Sequence, residues 1–156
     1  MLDHYFNGSA LCMLDEAGRL VLPGFVRATL ARRGGSSLLV GAHERAPCLV
    51  AYDRSIAPLI HAEVERRRLA ADSRDSSDHD MRARRAFGFV EDVPFESSGA
   101  LLLPPLMRRR ARIGALALLV GTGAMFEIWD AEAARGGDDP DLRDLAAFHL
   151  EFRQAA

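Results

Sequence analysis

The chain has 156 residues, enough for one domain with a sizeable hydrophobic core. Apolar residues make up 49% of it and charged residues 27%, which excludes a disordered or fibrous chain. The formal net charge of −2 argues against a nonspecific coat on nucleic acid. Because every basic residue is Arg and many are clustered, a local basic surface is still compatible with this charge. We predict a single domain over residues 1–156.

The first half begins with two short strands joined by a turn. Residues 8–14 are predicted as a buried strand that leads into a turn at Asp15–Gly18, and Leu20–Leu22 as the returning strand. The Gly of this turn supplies the positive φ that a tight turn needs. Pro23 fits the first turn of a helix, and the apolar spacing predicts that this helix runs to about Arg33.

A hairpin and a second helix follow. Residues 38–40 and 48–52 are apolar and flank a polar loop, which predicts two paired strands. The next helix is expected to start near Ser55. Residues 71–80 are polar and rich in turn formers, so 54–80 is interpreted as a helix followed by a linker.

The second half repeats this order about eighty residues later. After a short basic helix (81–86) and strand at 87–90 and 93–95, the turn Glu96–Gly99 matches the first turn with an acid, a Gly, three apolar residues and a Pro in equivalent places. A strand, a helix from Pro104 and a closing hairpin over 117–129 are then predicted. The chain therefore contains two β-β-α-β-β repeats, at 5–53 and 81–133.

Residues 134–156 are predicted to end the chain with a helix. Asp139 is its expected N-cap, with Pro140 at the first helical position. Five residues are expected to share one face of this helix: Leu142, Leu145, Ala146, His149 and Phe152.

The sequence offers no sign of secretion or membrane insertion. The N-terminus lacks the apolar run of a signal peptide, and the longest apolar run is too short for a bilayer span. Cys12 and Cys48 lie far apart and outside any metal or redox motif, which favours small buried thiols in a reduced compartment. We expect a soluble protein of the cytoplasm.

No catalytic group of residues emerges from the sequence. The five His residues lack metal-ligand spacing, so no metal site is predicted. The segment Gly121-Thr122-Gly123 lacks the third Gly of a dinucleotide fingerprint and fits a hairpin turn better. We therefore predict that the protein is not an enzyme, and that it uses no cofactor and no small-molecule ligand.

The doubled motif resembles a known family. Asp15-x-x-Gly18-Arg19-Leu20-Val21-Leu22-Pro23, followed by a helix and a hairpin, is similar to the unit of AbrB-like transcription factors, and two copies resemble the MraZ family of bacterial regulators. Phe126–Asp130 also resembles the last strand of that family. The resemblance implies an α+β, mostly β fold, in which two tandem repeats form a swapped-hairpin (AbrB-like) barrel with flanking helices.

The resemblance also implies a function and a set of contacts. Such proteins bind promoter direct repeats upstream of the division and cell-wall genes as ring-like homo-oligomers. The resemblance therefore implies that this protein binds double-stranded DNA and is associated with the nucleoid. The motif Arg of the family corresponds to Arg19, with Asp15 as its motif partner, and a second Arg in the following helix corresponds to Arg27 and Arg108. Arg109 is a further candidate for a phosphate contact. Apolar surface for a ring is expected on Phe6, Phe87, Phe89 and the C-terminal helix.

One position departs from the family pattern and keeps alternatives open. The second copy has Ala100 where the motif has Arg, and Ala cannot bond a phosphate or a guanine edge. The first half would then carry the DNA contact, while the second half serves mainly as scaffold.

Two alternatives to this hypothesis remain open. Asp15 and Arg19 could form only a turn-stabilising pair, and the whole fold could be a protein-interaction or assembly module with weak or no DNA binding.

Overall fold

The structure is a computed structural model that describes residues 4–70 and 76–155. Within these ranges the strands are β1 (Ser9–Met13), β2 (Arg19–Val21), β3 (Ser37–Ala42), β4 (Leu49–Tyr52), β5 (Val90–Pro94), β6 (Ala100–Leu102), β7 (Leu116–Gly121) and β8 (Phe126–Asp130). The helices are α1 (Gly24–Arg33), α2 (Ala57–Ala70), α3 (Ser76–Ala83), α4 (Pro105–Ala111), α5 (Ala131–Arg135) and α6 (Pro140–Ala155), with a π-helical turn at Arg84–Gly88. No helix in the described part of the chain is long and apolar enough to cross a membrane.

The strands from the two halves of the chain interleave. Six of them form an antiparallel sheet in the order β1-β7-β8-β4-β3-β5. The first strand of each half therefore pairs with a hairpin strand of the other half, β1 with β7 and β5 with β3. The hairpins themselves meet where β4 pairs with β8. The two remaining strands, β2 and β6, pair with each other as a separate antiparallel ribbon.

The main core lies between the sheet, the ribbon and the two helices that follow the ribbon strands. Leu20 and Leu101 face inward from the ribbon and are almost fully buried, as are Val26 and Leu30 of α1 and Met107 of α4. Burial of large apolar side chains is the dominant favourable term in folding. Because residues from both halves fill this one core, neither half encloses its own.

A second, smaller core holds the C-terminal helices against β7. Leu142, Ala146 and Leu150 are its buried members on α6, and they follow one another at intervals of four residues. The predicted N-cap is confirmed, since the Asp139 carboxylate accepts the backbone N–H of Asp141 at 3.0 Å. Phe152, the last residue of the face predicted for this helix, lies off this four-residue stripe and is 62% exposed.

The region between the halves differs from its prediction. Residues 71–75 of the expected linker lie outside the described residues, but 76–80 form the start of α3 instead of a linker. Asp78 in the first turn and Arg82 in the last suit the helix dipole, which explains how so polar a segment forms a helix. The strand predicted at 87–90 and 93–95 is the single strand β5, which begins only at Val90, because the preceding residues form the π-helical turn.

Candidate nucleic-acid interface

The ribbon β2–β6 ends in two turns of similar geometry. In the first, the N–H of Gly18 donates to the carbonyl of Asp15 at 3.0 Å; in the second, Gly99 donates to Glu96 at 2.8 Å. Both Gly residues have a positive φ, 93° and 88° respectively, which a side chain would strain. The turn prediction is therefore confirmed at both copies of the motif.

Asp15 acts on the backbone of its own turn. Its Oδ1 accepts the backbone N–H of Arg19 at 2.8 Å, and this hydrogen bond is the main reason that the pKa of the exposed Asp15 carboxyl lies below its usual value. The second turn lacks an equivalent carboxylate contact. There the Ser98 hydroxyl accepts the N–H of Ala100 at 3.3 Å, a substitute that carries no charge.

The outer face of the ribbon is formed by four side chains, two from each strand. Arg19 lies opposite Leu102, and Val21 lies opposite Ala100. Val21 is 56% exposed and Leu102 is 44% exposed, and Arg19 is exposed as well. Within the described residues the Arg19 guanidinium makes no hydrogen bond, so its five N–H donors are available to a ligand.

The helix arginines reach across from one half of the chain to the turn of the other. Arg27 of α1 donates to the carbonyl of Ser97 at 3.1 Å and lies directly over Gly99, where a Cβ would come within 2.9 Å of its Cδ. Arg108 of α4 lies over Gly18 in the same way, with a distance of 3.3 Å from such a Cβ to a guanidinium nitrogen. The two turns are therefore each covered by the other half's helix.

Arg108 is the more deeply engaged of this pair. Its Nε donates to the carbonyl of Ile113 at 3.0 Å, and its two terminal nitrogens donate to the carbonyls of Gly114 and Glu16 at 3.3 and 3.5 Å. Arg109, the next residue, has an exposed side chain that makes no hydrogen bond in the described part of the chain. The five candidate residues therefore lie in the ribbon, its first turn and the helices that follow its strands, and the four Arg among them differ in how many N–H donors remain available.

The sequence did not single out the buried ion pair of the first half. The Arg33 side chain is only 8% exposed and pairs with the buried Asp53 at 3.1 Å. It also donates to the carbonyl of Ala124 at 3.0 Å and lies 4.7 Å over the ring of Phe6. The pair is structural, since it ties α1 to the end of β4 and to the β7–β8 turn. The sequence could not predict this ion pair, because the partners of Arg33 are distant from it along the chain.

A second group that the sequence missed combines His43, Cys48 and Glu127, whose donor atoms lie within 4.8 Å of one another. His43 Nδ1 accepts the backbone N–H groups of Arg45 and Ala46, both at 2.9 Å, so the ring proton lies on Nε2, 3.3 Å from Glu127. A metal-bound His ordinarily does the reverse and donates from its second nitrogen. Burial and the Glu127 charge also raise the pKa of the Cys48 thiol. The geometry fits a hydrogen-bonded cluster better than a metal site.

The two thiols are buried, as predicted. Cys12 and Cys48 are both unpaired, with 6% and 2% exposure. Burial raises the pKa of Cys12 to about 11, which makes its thiolate scarce at neutral pH.

The structure is an α+β fold, mostly sheet, whose candidate residues lie on a two-stranded ribbon, in its first turn and on the two helices that cover the turns. No family model matches the chain. The transcriptional regulator MraZ of Alcanivorax borkumensis is 32% identical over 129 residues, covering 82% of this chain and 84% of that protein. The MraZ proteins of Pseudomonas savastanoi pv. phaseolicola (32% over 138 residues, 88% and 87% of the two chains) and Saccharophagus degradans (32% over 133 residues, 82% and 84%) are similarly related. The chain therefore belongs to the MraZ family of transcriptional regulators.

Proposed function

We propose that this protein is a sequence-specific DNA-binding transcriptional regulator and that the outer face of the β2–β6 ribbon is its DNA contact. The observation that carries the proposal is Arg19, exposed on that face with all its donors unused while Asp15 fixes the turn behind it. An Arg fork can bond both O6 and N7 of guanine in the major groove, which admits a two-stranded ribbon. The names of its relatives as transcriptional regulators support the same reading.

The arginines around the ribbon are proposed to have different roles, set by how many guanidinium N–H donors each has free. Arg19 and Arg109 retain all five N–H groups, and Arg27 uses one of its five for Ser97. Arg108 already donates to three carbonyls and is the weakest candidate for a direct contact. We propose that Arg19 reads bases, that Arg109 and Arg27 contact phosphates, and that Arg108 holds the first turn in place.

The finer architecture is also a proposal. We infer two tandem β-β-α-β-β repeats, 5–53 and 81–133, that form one swapped-hairpin barrel of the AbrB-like kind, with 134–156 as an added helix. The interleaved strand order supports this, because each half lends its first strand to the other's hairpin. The paired ribbon strands are consistent with it, since β2 and β6 hold equivalent places in the two halves.

The target and the assembly are proposals that rest on the family resemblance. We propose that the protein acts in the cytoplasm at the nucleoid, and that it binds direct repeats in the promoter of the division and cell-wall genes as a ring-like homo-oligomer. The prediction that Phe6 belongs to the interface is wrong, since this side chain is only 1% exposed. Phe89 is only partly accessible, because the Arg110 guanidinium lies over its ring. Phe87 is 49% exposed and remains a candidate, together with Phe148 and Phe152 of α6, whose exposed rings stack at 4.3 Å.

The central experiment measures binding to a labelled fragment of the organism's own division-cluster promoter at several salt concentrations. Arg19→Ala should weaken binding by about tenfold or more, because a bidentate Arg–guanine contact is worth about 1–3 kcal/mol and a ring repeats the loss. Arg143→Ala, which removes an exposed Arg of α6 outside the ribbon, is the matched control and should bind as the parent protein does.

Three outcomes would each contradict a part of the proposal. Equal affinity of Arg19→Ala and Arg143→Ala would remove Arg19 from the interface. Absence of binding at low salt by the parent protein would favour the alternative, an interaction or assembly module of the same fold. A monomer in solution at micromolar concentration, seen by mass measurement, would contradict the ring.

A further inference from the structure

A cavity of about 420 Å³ lies on the opposite side of β3 and β4 from the main core. Its floor is formed by strand residues and by Phe89 and Val90, and its walls by α2 on one side and by α3 with the π-helical turn on the other. Its volume falls within the range of small-molecule sites, about 300–1,000 Å³. The cavity touches none of the candidate DNA-binding residues.

The interior of the cavity is apolar. Its lining includes Val50, Ile56, Ile60, Val64, Phe89 and Met125. These side chains keep only partial burial, because α2 stands away from the sheet and buries none of its residues fully. Filling the space with an apolar group would bury them further, which is favourable by roughly 25 cal/mol per Å². An alkyl chain is the simplest group of that kind.

The charged residues of the lining carry an excess of one positive charge. Three arginines line the cavity, Arg67 from α2, Arg82 from α3 and Arg85 from the π-helical turn, against the two acids Glu44 and Glu63. Arg67 is engaged by both acids, and Arg85 donates to the backbone carbonyl of Glu44.

Arg82 is the exception on this rim. It is 48% exposed and approaches Glu44 only to 3.8 Å, too far for a hydrogen bond. Its guanidinium therefore has donors to spare at the mouth of an apolar cavity. Two His residues, His43 and His79, also line the site.

We propose that this cavity binds an amphipathic monocarboxylate, such as a medium-chain fatty acid, with the alkyl chain inside and the carboxylate on Arg82. A carboxylate accepts the planar Arg fork in a bidentate manner, and one negative charge offsets the excess of one cation at the rim. The proposal departs from the sequence-based expectation of no small-molecule ligand, and it does not depend on DNA binding.

The test titrates decanoate into the full chain by calorimetry, below the concentration at which decanoate forms micelles. Methyl NMR signals of Ile60, Val64 and Met125 are followed in parallel. Saturable one-to-one binding, with shifts at these methyl groups, is the expected result. Arg82→Gln should weaken decanoate binding about tenfold, the loss expected for a charge-assisted hydrogen bond, while leaving decan-1-ol unaffected. Arg84→Gln is the matched control, because Arg84 is exposed on the same segment but does not line the cavity.

A second variant tests the apolar part of the site. Ile60→Trp should fill the cavity and abolish binding of both compounds; if circular dichroism shows that it does not fold, Val64→Phe takes its place. No saturable binding of decanoate, or shifts confined to the exposed Phe148 and Phe152 face, would overturn the proposal. Equal loss in Arg82→Gln and Arg84→Gln, or no loss in either, would overturn the assignment of the carboxylate to Arg82.

Discussion

At the scale of single residues, the two copies of the ribbon motif differ most at Arg19 and Ala100. Both lie on the outer face of the ribbon, in equivalent places on strands that pair with each other. The first copy therefore presents a charged fork to solvent, while the second presents a methyl group. This asymmetry bears directly on the proposed DNA contact.

Restoring the missing Arg should strengthen binding. Ala100 is only half-buried and faces Val21 across the ribbon, so Ala100→Arg can extend its side chain into solvent without disturbing the core. We expect promoter affinity to rise by severalfold and the dependence of log affinity on log salt to steepen by about one unit for each phosphate gained. The measurement is the promoter titration across salt concentrations, with Ala100→Gln as the uncharged control. An unchanged salt slope in Ala100→Arg would show that this position does not reach DNA.

The turn carboxylate predicts a pH dependence of stability. Since hydrogen bonding lowers the pKa of Asp15 below its usual value of 3.8, the charged form stabilises the folded state above that value, and the contribution is lost as pH falls through the folded-state pKa. The difference in free energy of unfolding between the parent protein and Asp15→Asn should thus be present at neutral pH and shrink below about pH 4. Ser98→Ala removes the uncharged counterpart in the other turn, so its effect should be independent of pH. Parallel curves for all three proteins would contradict the assignment.

The turn glycines predict a cost for any side chain. Gly99 has a φ of 88°, and a Cβ there would approach Arg27 Cδ to 2.9 Å. Gly99→Ala should lower the free energy of unfolding by about 1–2 kcal/mol, measured by chemical denaturation. Gly24→Ala is the control: Gly24 opens α1 with no atom within 4 Å of a Cβ, so this change should be neutral or slightly stabilising.

At the scale of elements, the ion pair of Arg33 and Asp53 links parts that the hydrogen bonds of the sheet do not join. Arg33 is the last residue of α1, and Asp53 follows β4. The Arg33 guanidinium also donates to the carbonyls of His4 and Ala124. The Ser55 hydroxyl adds a further bond to the Asp53 carboxylate at 2.8 Å. Removing one member of an ion pair bonded to this many groups leaves a buried charge without its partner, which lowers the stability of the fold.

Removing one member of this pair should be far more damaging than removing a surface pair. Asp53→Asn leaves Arg33 buried without its counter-charge and should cost about 3 kcal/mol of unfolding free energy. The control is Asp92→Asn, which breaks the exposed pair between Arg54 and Asp92 and should cost less than about 1 kcal/mol. Similar midpoints of denaturation for the two variants would show that the buried pair adds no special stability.

At the scale of the whole molecule, the interleaved topology makes the two halves mutually dependent. In a fragment that ends at α2, β1 lacks its partner β7 and β2 lacks its partner β6. The main core draws residues from both halves, so each fragment would also expose apolar surface that the intact chain buries.

Splitting the chain should therefore abolish the monomeric fold of each part. We expect fragments 4–70 and 76–155 to be unfolded or self-associated when separate, as judged by circular dichroism and mass measurement, and to form a one-to-one complex with native-like spectra when mixed. The intact chain cut in the same place by an engineered protease site is the matched control and should keep its spectrum. A folded, monomeric 4–70 fragment would contradict the dependence between halves.

The sequence by itself determined the local elements and their order. Turn glycines, prolines at helix starts and apolar periodicity are short-range signals, and they correctly gave the ribbon turns, α1, the hairpin strands and the N-cap of α6. The doubled motif also led to the family that the relatives then confirmed. Where local signals conflicted with packing, as at α3 and the π-helical turn, the sequence reading failed.

Only the tertiary structure decided which distant residues meet. The burial of Arg33 against Asp53, the cluster of His43 with Glu127, and the placement of Arg27 and Arg108 over opposite turns all join residues far apart in the chain. The cavity beneath α2 likewise exists only because α2 and α3 pack at a distance from the sheet. A single sequence carries period and turn chemistry along the chain, but contacts between halves depend on strand order, which those patterns leave open.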